Sequence, residues 1–106
     1  LEIAPAIKFI LEKSLKKPIF DGFVALGCVI RGETHHFEIV ANESARALID
    51  LSINYSIPIG NGILTVSNKD QAIIRTDPKQ LNKGADAALA WMALINIKNS
   101  INYEWY

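Results

Sequence analysis

The chain has 106 residues, 50% of them apolar and 21% charged, which fits one compact domain over residues 1–106 and nothing larger. Eleven basic and eleven acidic side chains cancel, and no basic run extends beyond Lys16-Lys17, so the electrostatic footprint of a nucleic-acid or anionic-lipid binder is missing. One cysteine excludes an intrachain disulfide and a cysteine-based metal cluster, and no apolar stretch approaches the roughly 18 residues that span a bilayer.

In chain order, Ile3, Ala6, Ile7, Ile10, Leu11 and Leu15 recur at spacings of three and four between lysines, predicting an amphipathic helix over Glu2 to Lys17 with Pro5 in its first turn. This pattern is already running by Ile3, so further chain is expected upstream. Phe20 to Ile30 is apolar apart from Asp21 and two glycines, as in a strand covered on both faces, which implies a parallel sheet. Cys28 within it is expected to be a buried small hydrophobe in a reducing compartment. Helical spacing returns from His36 to Tyr55. Pro58 breaks it, and Ile59 to Val66 reads as a second buried strand, with Gly60 and Gly62 where backbone or ligand can approach closely.

Ser67-Asn68 supplies capping chemistry for a short helix, Lys69 to Arg75. Asp77-Pro78 marks a turn, and a last helix runs from about Asn82 to Lys98. The aromatic tail Tyr103-Glu104-Trp105-Tyr106 fits a packing or subunit contact. The alternation α-β-α-β-α-α describes a layered α/β fold with a parallel sheet and right-handed crossovers. Because about three strands are needed for a stable sheet, more must come from upstream chain or from neighbouring subunits. The composition is that of a soluble cytoplasmic protein with neither nucleic-acid nor membrane partners.

In open α/β sheets ligands bind beyond the carboxyl ends of the strands, which directs attention to Arg31–His36 and Ser67–Lys69. The first segment, Arg31-Gly32-Glu33-Thr34-His35-His36, gathers a cation, a carboxylate, a hydroxyl and two imidazoles at a strand-to-helix junction. Free N–H groups at a helix start form an anion site, and a neutral imidazole can move protons near pH 7. The same composition also suits a polar surface loop. Adjacent His35 and His36 diverge by about 100° on a helix, and without a third histidine a metal site is not expected. No phosphate-binding glycine-lysine loop, dinucleotide fingerprint or serine-hydrolase elbow occurs, so no cofactor is expected. Arg75, Lys79, Asn82 and Lys83 form a second polar cluster, readable as a phosphate pocket or as solvated turn residues.

Several ordered motifs resemble those of lumazine synthases: Ala25 through Phe37, then Val40-Ala41-Asn42-Glu43; Leu1-Glu2-Ile3; Gly62 through Val66 leading to Asp70-Gln71-Ala72; and Asn82-Lys83-Gly84-Ala85-Asp86-Ala87-Ala88. The match extends to about Lys98. The resemblance implies a flavodoxin-like three-layer α/β/α subunit with a four-stranded parallel sheet, of which this chain lacks the first strand. It also implies a reaction, the condensation of a ribitylaminopyrimidine with a four-carbon keto-phosphate, without metal or organic cofactor.

Position by position, the resemblance implies that His36 transfers protons while His35 does not. It implies that Arg75 holds the phosphate with the backbone at Glu33 and Thr34. Glu2 and Lys83 would bind the ribityl chain, and the backbone at Val29 and Ile30 would contact the pyrimidine. Asn61 stands where many members carry an aromatic residue that reaches a neighbouring subunit's site. Active sites in the family form between subunits of a pentamer. Because the turn Thr76–Leu81 lacks a glycine and carries Pro78, a free pentamer is expected over a 60-subunit shell. Two other readings stay open: a flavin- or lumazine-binding scaffold that has lost activity, and an archaeal-type riboflavin synthase that consumes lumazine.

Overall fold

The computed structural model describes residues 1–14 and 20–104, with side chains up to residue 101. Leu15, the Lys16-Lys17 pair and the contact expected of the aromatic tail lie outside the described residues. The elements in order are α1 (Ile3–Ser14), β1 (Phe23–Ile30), α2 (His36–Tyr55), β2 (Ile59–Val66), α3 (Lys69–Thr76) and α4 (Lys83–Glu104). The expected α-β-α-β-α-α alternation is therefore present.

Among the described residues β1 and β2 form a two-stranded parallel sheet, in register from Phe23↔Ile59 to Ile30↔Val66. The Phe23 N–H donates to the Pro58 carbonyl at 3.0 Å, and the Arg31 N–H to the Val66 carbonyl at 2.8 Å. Backbone groups alternate along a strand, so these end bonds turn the odd-numbered residues of β1 and the even-numbered residues of β2 toward each other. The odd-numbered residues of β2 consequently present their N–H and C=O groups to the outer edge.

The core lies on one face of this sheet. Ala4, Ile7 and Leu11 of α1, spaced by three and four, meet Ala25 of β1, Leu48 of α2 and Ile59 of β2. Burying Leu48, which is 2% exposed, contributes about 1.5–3 kcal/mol. The opposite face receives α4 through small residues. A methyl group added at Gly60 would fall on the Ala87 carbonyl oxygen, and one at Gly62 would lie 3.0 Å from the Ala87 Cβ. The close approach expected at these two glycines is thus made by the Ala87 backbone at Gly60 and by the Leu26 and Ala87 side chains at Gly62.

Strand β1 begins at Phe23 rather than Phe20, and its burial alternates: Ala25 is 3% exposed but Leu26 is 60% exposed. The core covers its inner face, whereas Val24, Leu26, Cys28 and Ile30 are open among the described residues, so the expected cover on both faces is met on one. Cys28 is exposed, not buried, because α4 is seated on β2 by Gly60 and Gly62 and leaves this side of β1 free. Helix α4 runs past Lys98 to Glu104, since Ile97 and Ile101 continue the fourfold spacing. No described helix is long and apolar enough to cross a membrane.

Helices α2 and α3 leave the carboxyl edge of the sheet, and α1 and α4 lie along its two faces. Ile3 at the start of α1 lies against the middle of β1, its Cδ1 3.4 Å from where a Gly27 Cβ would stand, while Lys8 reaches the Tyr55 ring at 4.8 Å near the other end. Helix α2 leaves the end of β1 and returns to the start of β2. It closes with Ser56 in the left-handed region at φ 51°, whose N–H returns to the Ser52 carbonyl. Helix α4 passes Gly60 and Gly62 at Ala87, and Lys98 Nζ donates to the Ser56 carbonyl at 2.6 Å.

Candidate active site

The carboxyl edge of the sheet collects two loops, and the Arg31 N–H to Val66 carbonyl bond joins them. Each loop starts a helix, but the two starts differ. At α3 the Asn68 Oδ1 accepts from the Gln71 N–H at 2.9 Å while Gln71 Oε1 accepts from the Ser67 N–H at 2.7 Å, so side chains satisfy that start. At α2 the N-cap is His35, whose side chain makes no capping bond. The Thr34 Oγ1 accepts only a long 3.4 Å bond from the His36 N–H. First-turn donors there remain for water or for an anion, and the helix dipole favours the anion. Of the two candidate loops, Ser67–Lys69 has its helix start capped by side chains and Arg31–His36 does not.

His36 is the first residue of α2, and its side chain is exposed at this edge. The His35 side chain is 99% exposed and lies 4.0 Å from the Glu38 carboxylate. Arg31 does not point its charge into the open helix start. Its Nη1 pairs with Glu38 Oε1, and its guanidinium carbon sits 4.4 Å from the centre of the Phe37 ring. The Arg31 hydrogen bond, ahead of Glu38's own backbone N–H, holds the Glu38 carboxyl below its ordinary value of 4.5. Nothing in the sequence pattern had marked this pair, although an arginine in the loop and an acid in the first turn of the following helix were its signal.

Arg75 lies two turns along α3, half-buried, with Nη1 donating to the Gln71 carbonyl at 3.1 Å. Lys83 opens α4 and pairs with Asp86 at 3.3 Å. The turn between them is tied by Leu81 N–H to the Ile74 carbonyl at 3.1 Å and by Asn82 N–H to the Asp77 carbonyl at 3.1 Å. Asn82 takes φ 47°, a left-handed conformation that asparagine tolerates better than most residues. Asp77 is held below its ordinary value of 3.8 by the Gln80 side chain and then the Lys79 N–H. The Arg75–Lys83 cluster is therefore an ordered turn.

Glu2 precedes α1 with its carboxylate open to solvent and held below the usual range, chiefly by a bond from its own backbone N–H. Val29 is half-buried and Ile30 is 48% exposed at the end of β1, while Glu33 and Thr34 are exposed in the loop. Thus Glu2, Val29, Ile30, Glu33, Thr34, His36 and Lys83 lie at strand ends or helix starts, with Arg75 on the helix leaving the same edge. Asn61 is not among them. It sits five residues before Val66, about 16 Å down an extended strand, and its Oδ1 accepts from the Ile63 N–H at 2.9 Å. Among the described residues, surface hollows lie elsewhere, including a groove of about 340 Å³ between α2 and α4 and one of about 200 Å³ beside Asn61.

Comparisons with known proteins bear on what such an edge does. A model of the 6,7-dimethyl-8-ribityllumazine synthase family matches residues 1–99. The 6,7-dimethyl-8-ribityllumazine synthase of Methylorubrum populi is 51% identical over 105 residues, which is 98% of this chain and 62% of that protein. That of Zymomonas mobilis is 52% identical over 102 residues, 96% of this chain and 70% of the relative. That of Bartonella henselae is 56% identical over 98 residues, 92% and 62% respectively. The chain thus spans 62% to 70% of the length of these relatives.

Proposed function

This chain belongs to the 6,7-dimethyl-8-ribityllumazine synthase family, and from that membership we propose that the protein performs the transferase step which makes this lumazine in riboflavin biosynthesis. Its substrates are 5-amino-6-ribitylamino-2,4-pyrimidinedione and 3,4-dihydroxy-2-butanone 4-phosphate. The observation that carries the reading is the helix start of α2, left without a side-chain cap at the carboxyl edge and bearing His36.

The pyrimidine's amino group adds to the ketone and water leaves, giving an imine. Loss of a proton beside the imine carbon expels phosphate from the neighbouring carbon. The carbonyl that results after tautomerisation is attacked by the ribityl-bearing nitrogen, and a second water leaves as the ring closes. Every step is a condensation or an elimination with no net redox change. His36 takes and returns the protons. Arg75 and the N–H groups at Glu33 and Thr34 hold the phosphate as it departs, where a guanidinium and a helix start match its charge and shape. Glu2 and Lys83 bind ribityl hydroxyls, and the backbone at Val29 and Ile30 meets the pyrimidine. Holding two reactants side by side supplies much of the remaining acceleration.

Asn61 serves the site of a neighbouring subunit in a homopentamer. Its distance from His36 within one chain supports that assignment, as does the exposure of His36, Glu33, Thr34 and Lys83, because charge stabilisation is strongest where water is displaced. Residues 1–106 act as one domain of this subunit. The protein works in the cytoplasm, in keeping with a single free thiol.

Substituting the two principal residues of the full-length protein and following lumazine absorbance tests the assignment. His36→Ala lowers kcat roughly 10- to 100-fold, toward the low end of what positioned proton transfer contributes, because solvent can replace it in part. Arg75→Ala raises the KM for the keto-phosphate by about 10- to 100-fold, as expected from losing a charged hydrogen bond. Wild-type rates in both variants would refute the roles.

A further inference from the structure

Arg31 is left without a task by the reaction above, yet it is the best-anchored residue of the loop. We propose that Arg31 is a positioning residue for His36, acting through Phe37 and Glu38; the inference rests on the synthase reading and adds a part to the same site. Three contacts carry it. The Arg31 backbone N–H is fixed to the sheet by the Val66 carbonyl at 2.8 Å. Its Nη1 pairs with Glu38 Oε1, and its Cζ lies 4.4 Å from the Phe37 ring centre. Phe37 and Glu38 are the two residues that follow His36 in the first turn of α2.

An α-helix turns about 100° per residue, so clamping two successive positions fixes both the rotation and the tilt of the turn that presents His36. Little else does so. His35 provides no side-chain cap, and a Cβ at Gly32 would meet nothing within 4 Å, so the connection from Arg31 to His36 has no packed wall of its own. Arg31 therefore acts as a strut from the end of β1 to the start of α2, bypassing the loop. The planar guanidinium both stacks and pairs, a combination that lysine cannot reproduce.

The test is a kinetic cycle in the full-length protein with both substrates. Arg31→Met should lower kcat about five- to tenfold by misaligning the proton carrier, while the keto-phosphate KM stays within about twofold. Arg31→Lys should fall between Arg31→Met and wild type. In a His36→Ala background, Arg31→Met should change kcat by less than about twofold, since no imidazole is left to position. Melting temperatures should move by no more than about 4 °C, as for an exposed ion pair. Three results would overturn the strut: an unchanged kcat in Arg31→Met, a raised KM at constant kcat, which would make Arg31 a phosphate ligand, or the same loss with and without His36. A wild-type rate in His36→Ala would instead overturn the role given to His36, and with it the strut, while leaving the synthase reading in place; the absence of catalysed lumazine formation by the wild type would overturn that reading.

Discussion

Arg31 and Arg75 both lie near the carboxyl edge, but their partners separate their tasks. Arg75 donates to a neutral carbonyl on its own helix and has no acidic partner among the described residues, whereas the charge of Arg31 is taken up by Glu38. Only Arg75 can meet a dianionic group without first breaking an ion pair. The Glu38 pairing has a pH consequence. Because its folded-state pKa lies below the ordinary 4.5, Glu38 contributes stability that is fully present above that value and is lost as pH falls through the lower, folded one. A carboxyl NMR titration should place the Glu38 midpoint below 4.5 in the wild type and return it toward 4.5 in Arg31→Met. An identical midpoint in both would mean that the pair does not form in solution. Asn61 shows the opposite economy of reach: its amide oxygen turns back onto the Ile63 N–H, which the register places on the outer edge of β2, and so satisfies a donor that no strand among the described residues covers.

At the scale of elements, the seat of α4 on β2 depends on the absence of side chains. Gly60→Ala would drive a methyl into the Ala87 carbonyl, and relief requires lifting the helix from the strand. We expect it to cost about 1–3 kcal/mol in chemical denaturation of the full-length protein. Gly27→Ala, whose added carbon would meet Ile3 Cδ1 at 3.4 Å, should cost less; equal losses would mean that the α4 contact is not the constraint. The helices were legible in the sequence from their apolar spacing, although among the described residues of α1 only Ile7 and Leu11 of the expected positions are buried, joined by Ala4, while Ala6 and Ile10 are exposed. The range of α2 coincided with its pattern from His36 to Tyr55. Strand β1 was read less well. A continuous apolar run does not say which face is covered, so Leu26 and Cys28 were expected inside and are exposed. The candidate loop was legible as chemistry but not as geometry. Which helix start was free depended on Asn68 and Gln71 capping each other's neighbourhood at α3 and on His35 failing to do so at α2. The roles of Glu2, Lys83 and Asn61 came from resemblance, because spacing alone says nothing of where a ribityl chain lies.

Over the whole molecule, the starts of α2 and α3 share the carboxyl edge of the sheet, and most of the residues assigned to substrate are exposed while Val29 and Arg75 are half-buried. A reaction that expels phosphate and two waters benefits from walls that a single chain of these described residues does not provide. Apolar side chains exposed on α2 and α4, including Ile49, Ile53, Leu89 and Ile97, offer area for contacts with neighbouring subunits. The full-length protein should accordingly sediment as a homopentamer, and a monomer retaining full activity would contradict the shared site. The most direct test of the central claim is stoichiometric: the full-length protein is given both substrates, and lumazine and inorganic phosphate are measured together. The account predicts that they appear in equal amounts and well above the uncatalysed rate. Absence of catalysed lumazine formation, or consumption of lumazine supplied alone, would contradict it.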